Sequence, residues 1–294
     1  MTSPKRLILL VVLAMLAFAA NSLLCRMALK NTAIDAASFT SLRLVSGALV
    51  LWLLVRWRGG SCRGAGHWLS GLALFAYAAA FSFAYIKLPA AVGALVLFCA
   101  VQATMIGYGL WQGERLRPVQ VGGLALALAG LVSLLLPGLS APPLDSAVLM
   151  LLAGVAWGVY SLQGRRLGDP TVATAGNFWR AIPFALVLSA FMLAQQSLDS
   201  VGVLYALASG GIASGLGYAL WYAALPMLAT TSAATIQLSV PVLAALGGVV
   251  FLGETITLRL LLSSVAILGG IALVVLSKKP VVSFKLPPSA SSRS

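Results

Sequence analysis

Ten stretches of this chain are each long and apolar enough to cross a bilayer, and they leave little sequence for anything else. A hydrocarbon core of about 30 Å takes about 20 helical residues. The spans read as Leu7–Leu29, Ala36–Trp57, Trp68–Lys87, Ala91–Trp111, Val119–Pro137, Leu144–Gln163, Val172–Leu193, Val201–Ala223, Thr230–Phe251 and Arg259–Ser277. Short connections between them carry the expected breakers: Gly59-Gly60, Pro89, Pro118, Pro137 to Pro143, Pro170 and Pro226. In lipid, every backbone polar group must be satisfied within the chain, and an uninterrupted apolar run achieves this as a helix. The expected fold class is therefore all-α integral membrane, with ten transmembrane helices. Composition agrees, at 61% hydrophobic and 9% charged, against about 25% charged in a soluble domain.

The net charge of +13 does not point to nucleic acid, because the basic residues sit in short loops between apolar runs. They sort by side instead. Lys5, Arg6, Arg56, Arg58, Arg63, Arg115, Arg117, Arg165, Arg166, Lys278, Lys279, Lys285 and Arg293 fall on one side, and only Arg26, Lys30, Lys87 and Arg259 on the other. This bias predicts that both termini are cytoplasmic. The stretch Lys5–Asn21 resembles a signal peptide. Its apolar run continues to Leu29, however, and has a partner in the second half, so it reads as the first span.

The chain repeats itself. Phe81, Tyr85 and Pro89 recur 137 residues later as Tyr218, Tyr222 and Pro226. At the same offset Arg43 to Leu51 aligns with Arg180 to Leu188. Beyond Pro226 the offset becomes 140, which pairs Gly113-Glu114 with Gly253-Glu254 and Gly130 with Gly270. Five spans per copy is an odd number, so the second copy enters the membrane from the opposite side. Inverted repeats of this kind surround a central cavity in secondary transporters and support alternating access. The expected organisation is a cytoplasmic N-terminus (1–6), a first five-helix repeat (7–137), a second (144–277) and a disordered basic tail (278–294).

On these features the chain resembles the drug/metabolite transporter superfamily, specifically its EamA-type members. The residues that carry the resemblance are the two five-helix halves, Arg43 and Arg180 early in the second helix of each, and Gly113-Glu114 and Gly253-Glu254 after the fourth. Within the superfamily it is similar to the YddG-type aromatic amino-acid exporters, which adds an expected export of small metabolites with aromatic groups. The resemblance implies ten helices, cytoplasmic termini, a cavity between the halves and export of small metabolites.

All six acids, Asp35, Glu114, Asp145, Asp169, Asp199 and Glu254, lie in loops or at helix ends. No intramembrane carboxylate marks a proton relay or cation site. Cys25, Cys62 and Cys99 are isolated and His67 is the single histidine. No metal, cofactor or catalytic cluster is therefore expected, and the chain does not read as an enzyme. Arg43 and Arg180 offer a guanidinium to a substrate carboxylate or hydrogen-bond loop carbonyls. Their symmetric occurrence favours the structural role. Glu114 and Glu254 read as structural acids near helix starts, with Pro118 opening the fifth helix and Thr255 or Thr257 capping the tenth.

The amides Asn21, Gln102 and Gln237 are ill placed against lipid and should face the bundle interior, either lining the cavity or bridging helices. Phe18, Tyr77, Phe81, Tyr85, Trp157, Tyr160 and Tyr218 are the aromatic cavity candidates, with Tyr77, Phe81 and Tyr85 on one helical face. Trp157 lies in the segment Gly154–Gly158, whose glycines suit close helix approach, so the ring projects sideways. It aligns with Ala20, and Tyr77 with Ser214, so the two sides of the cavity should be unequal. Pro241 is a candidate gating hinge. The function expected is export of aromatic or apolar amino acids across the bilayer. A sugar-nucleotide or phosphate-ester carrier is the alternative, followed by a membrane enzyme or assembly subunit. The partners expected are a small-molecule substrate and lipid.

Overall fold

The computed structural model describes residues 4–113, 115–136, 141–164, 169–228 and 236–277. Among these, all regular structure is helical. The first half holds α1 (Pro4–Asn31), α2 (Ala36–Trp57), α3 (Trp68–Tyr85), α4 (Ala90–Trp111) and α5 (Pro118–Leu135). The second holds α6 (Leu144–Gly164), α7 (Pro170–Phe191), α8 (Ser200–Met227), α9 (Ser239–Leu252) and α10 (Leu258–Leu276). Eight of these are long and apolar enough to cross a membrane. Helix α9 is apolar but shorter, and the start expected for it at Thr230 lies outside the described residues. Helix α7 has the length, at 22 residues, but interrupts its apolar surface with Thr171, Thr174, Asn177 and Arg180.

Local chemistry sets the helix starts. Asp35, Asp169, Asp199 and Thr257 each accept backbone N–H groups at the heads of α2, α7, α8 and α10. Of the two threonines considered for α10, Thr257 makes the cap, 3.1 Å from the Leu260 nitrogen. Pro118 and Pro170 occupy first-turn positions, where a missing N–H costs nothing.

Packing follows the repeat. Contacts between α3 and α6 are matched by those between α8 and α1, and the α2–α8 contact is matched by α7–α3. The pairs α2–α7 and α5–α10 each join a helix to its own counterpart. Glycine makes the closest approaches. A Cβ on Gly123 would lie 2.6 Å from the Gly270 carbonyl, so α5 and α10 touch backbone to backbone. On α6, a Cβ at Gly154 would sit 2.6 Å from the Leu97 carbonyl and one at Gly158 would sit 2.8 Å from Thr104 Cβ, which seats α6 on α4.

Polar ties close the ends of the bundle. The Asp35 nitrogen donates to the Ser197 carbonyl at 3.1 Å, and the Ser197 nitrogen donates to Asp35 Oδ2 at 3.0 Å. This joins the α1–α2 connection to the α7–α8 connection. Burial pushes the Asp35 carboxyl up, but hydrogen bonds from Ser38, Ser197 and Ala37 outweigh it and hold it below its ordinary value. A carboxylate with a lowered folded-state value stabilises the fold above its unfolded value and loses that contribution as pH falls through the folded one. Asp35→Ala should therefore lower stability in detergent by about 1 kcal/mol near neutral pH. The gap to wild type should narrow as the pH drops below about 4. Thermal unfolding across that range checks this, and a gap independent of pH would refute the carboxylate's role.

Candidate substrate site

Aromatic side chains from five helices meet at the centre of the bundle. Trp157 of α6 is their hub, with ring centroids 4.9 Å from Tyr77, 5.3 Å from Tyr160 and 5.2 Å from Tyr218. Tyr218 of α8 also meets Phe18 of α1 at 5.8 Å and Phe178 of α7 at 6.0 Å. The glycines flanking Trp157 press α6 against α4, so the large ring is sent sideways into this cluster. Tyr77, Tyr160 and Tyr218 are buried, whereas Trp157 and Phe18 are half-buried. Surface clefts lie elsewhere. One between α2 and α7, about 600 Å³, is lined by Trp52, Arg56, Cys62, Arg63 and Trp179, basic and aromatic groups of the kind found at a membrane surface.

A polar junction adjoins the rings. Asn21 Nδ2 donates to the Tyr77 hydroxyl at 3.2 Å, and Ser209 Oγ donates to Asn21 Oδ1 at 2.7 Å. One amide thus bridges α1, α3 and α8. Asn177 Nδ2 donates to the Tyr160 hydroxyl, which donates in turn to Thr174 Oγ1, each at 3.5 Å.

The segment of α8 at this junction, Ala208–Leu216, is wound as a π-helix, a form that occurs mostly in short pieces at functional sites. It carries Ser209, Ser214 and three glycines, and it lies hard against α2. A Cβ on Gly210 would collide with the Arg43 carbonyl and the Ser46 hydroxyl. The sequence reading singled out neither the π turn nor Ser209. The glycine run Gly210, Gly211, Gly215, Gly217 was the available signal.

The two equivalent arginines differ. Arg180 donates through Nη1 to the carbonyls of Ala65 and, at 3.1 Å, Gly176, and lies over the Trp68 ring. Beside it, the His67 nitrogen donates to Asn177 Oδ1 at 2.8 Å, so α7 grips the α2–α3 connection. Gly66, at φ +80°, permits this approach; a Cβ there would lie 2.6 Å from the Asn177 nitrogen. Arg43 grips nothing comparable. It is 2% exposed, its guanidinium sits 5.1 Å from the Tyr77 ring centroid and 4.9 Å from that of Phe81, and its Nη1 has no hydrogen-bond partner.

The stripe on α3 divides. Tyr77 joins the centre, while Tyr85 turns onto the start of α4, where its hydroxyl donates to the Ala90 carbonyl at 3.3 Å and its ring rests on Gly93. Phe81 bridges them, 5.3 Å from Tyr77 and 4.7 Å from Tyr85. Above Tyr85 lies an ion pair: Arg26 Nε to Glu254 Oε1 at 3.4 Å, with both side chains about 10% exposed. Arg26 Nη1 donates to the carbonyls of Tyr85 and Ile86, and Glu254 Oε2 accepts the Ala90 nitrogen at 2.8 Å. Glu254 therefore serves the head of α4, a long-range contact, rather than its own following helix. Glu114 lies outside the described residues. Gln102 is buried on α4, and Gln237 is half-buried just ahead of α9. Pro241 lies three residues after a turn at Leu238 that interrupts helical residues on both sides, Ile236 and Gln237 before it and Ser239 onward after it, and a proline at 241 has no N–H for the Gln237 carbonyl.

The profile of the EamA-like transporter family matches residues 5–136 and, a second time, residues 145–276. The chain is 58% identical over 271 residues to an uncharacterised protein of Pseudomonas aeruginosa, covering 92% of this chain and 94% of that one. A probable amino-acid metabolite efflux pump of Salmonella typhimurium is 30% identical over 209 residues, which is 65% of this chain and 70% of the pump. The threonine/homoserine exporter RhtA of Escherichia coli is 34% identical over 161 residues, spanning 52% of this chain and 53% of the exporter. One solved crystal structure, 22% identical, aligns with a TM-score of 0.65 over 91% of this chain and 96% of its own, a likeness of fold alone.

The Arg26–Glu254 pair yields a test of how this end is held. Removing one partner strands a buried charge, so Arg26→Leu or Glu254→Leu alone should each cost about 3–5 kcal/mol. The double variant should cost clearly less than the sum of the two, as for coupled neighbours. Unfolding of the four proteins in detergent measures it. Simple additivity would show that the pair is not coupled.

Proposed function

Because the chain belongs to the EamA-like transporter family, we propose that it exports neutral amino acids, with aromatic and apolar side chains preferred. The observation that carries this reading is the junction of Trp157, Tyr77 and Tyr218 with the Asn21–Tyr77–Ser209 hydrogen bonds. Stacking and burial against the rings would hold an apolar side chain, and the adjoining amide and hydroxyls would orient the backbone groups of the amino acid. Phe18, Tyr160 and Phe81 complete the ring wall. Gln102 and Gln237 are further lining candidates, and Tyr85 is a support for the site.

Transport in this reading alternates between two closed ends. One is held by Arg26 and Glu254. The other is held by Arg180, with Asn177 gripping the 65–67 turn. The loop-charge bias supports an external Arg26 end and cytoplasmic termini. The break at Leu238 before Pro241 offers a point about which α9 can swing.

A second reading, export of small hydroxylated amino acids, is favoured by the serine hydroxyls on the π-helical face of α8 and by the similarity to the threonine/homoserine exporter. A phosphate-ester carrier fits less well. It would need several free cations at the centre, and Arg180 is already engaged with backbone carbonyls.

Purified protein in liposomes, loaded with labelled phenylalanine, tryptophan, threonine or homoserine, tests both readings. Saturable efflux of the aromatic pair above the hydroxylated pair supports the first, and the reverse order supports the second. Absence of flux for all four would overturn the amino-acid reading. Trp157→Ala should lower the flux of an aromatic substrate by up to about tenfold, the equivalent of one lost ring-stacking contact at the upper end of its range. Unchanged flux would make the rings packing alone.

A further inference from the structure

Arg43 is a permanent cation enclosed at the centre of the bundle, with no carboxylate paired to it among the described residues. Arginine does not deprotonate in proteins, so its charge must be met by something. The described acids are committed elsewhere. Asp35, Asp169 and Asp199 cap helices, Asp145 pairs with Lys87, and Glu254 pairs with Arg26. The faces of Tyr77 and Phe81 meet part of the charge through their π-electrons. Nη1 remains without a hydrogen-bond partner. Two other buried polar atoms are unpartnered among the described residues, Ser214 Oγ on the π-helical turn that packs against α2 and Ser263 Oγ on α10. Such orphans are rare in folded proteins and call for an explanation. Arg180, the counterpart of Arg43, shows what a purely structural arginine looks like in this fold, since its Nη1 is bonded to two carbonyls.

Resting on the amino-acid reading above, we infer that Arg43 is the anchor for the substrate's carboxylate. One guanidinium with a free N–H matches one carboxylate, by a charge-assisted hydrogen bond. The neighbouring Tyr77 ring ties this anchor to the aromatic cluster, so side chain and carboxylate would be read at adjoining positions. A monocarboxylate neutralises the site. A phosphate ester would leave it with surplus negative charge.

The test compares acids with their amides as competitors of labelled substrate in proteoliposomes, using phenylalanine against phenylalaninamide and threonine against threoninamide. For wild type the acid should compete roughly 10- to 100-fold more strongly than the amide, the range for a hydrogen bond to a charged group. In Arg43→Gln that preference should vanish, with acid and amide competing equally. Arg43→Lys, which keeps the charge but not the fork, should retain part of it. Equal competition by acid and amide in wild type overturns the inference while leaving amino-acid transport intact, and needs no variant to fold. Full discrimination kept in Arg43→Gln overturns it as well and makes Arg43 a structural residue satisfied by water. If no amino acid moves at all, the functional reading fails and takes the anchor with it.

Discussion

The side-chain amide of Asn21 is the point on which the centre of this molecule depends. A helix in lipid has no water to turn to, so a buried amide must find both a donor and an acceptor among its neighbours. Asn21 finds them on two different helices, Tyr77 on α3 and Ser209 on α8. That choice fixes the Tyr77 ring, and the ring supports two further contacts: the Arg43 guanidinium over one region and Trp157 at 4.9 Å. The π-helical turn that brings Ser209 within reach also presses α8 onto α2 at Arg43. Hydrogen bonding, aromatic packing and buried charge are thus linked through one small polar group.

The two ends of the bundle are built with different chemistry. At one, Arg26 and Glu254 form a nearly enclosed ion pair that also satisfies backbone groups of α3 and α4. At the other, Arg180 and Asn177 bind the carbonyl and amide of a tight turn, largely without opposing charge. Repeat-related positions explain part of the difference. Arg26 corresponds to Gln163 at the 137-residue offset, and Gln163 makes a neutral hydrogen bond with Ser70. Parting the first end would separate two opposite buried charges, whereas parting the second would break hydrogen bonds from one guanidinium to backbone carbonyls, so the pseudo-symmetric halves need not be energetically equivalent.

Much of the fold was legible from sequence because a bilayer imposes a length and a polarity on each span. The ten helices, the repeat and the sideways projection of Trp157 follow from that rule and from glycine spacing. Less of the site was legible. Arg43 and Arg180 occupy equivalent positions, yet only Arg180 meets a turn whose carbonyl points at it, and the path of that turn depends on Gly66 and Asn177 together. Tyr77 and Tyr85 share a helical face, but Gly93 opens a slot that draws Tyr85 onto α4 and away from the centre. Glu254 bonds across 164 residues to Ala90, a contact no local pattern encodes. Pro241 was legible as a break in its helix, and the turn at Leu238 lies where a proline at 241 leaves the Gln237 carbonyl without an N–H.

Whether substrate binds at the junction of α1, α2, α3 and α8 is tested by chemical access to Ser214, whose hydroxyl is buried without a partner among the described residues on the π-helical turn. In a background lacking Cys25, Cys62 and Cys99, Ser214→Cys should be modified by a small water-soluble thiol reagent as the protein cycles. Saturating transported amino acid should slow that modification. A cysteine at this position that never reacts, or that reacts at the same rate whatever amino acid is present, would rule out substrate binding at this junction.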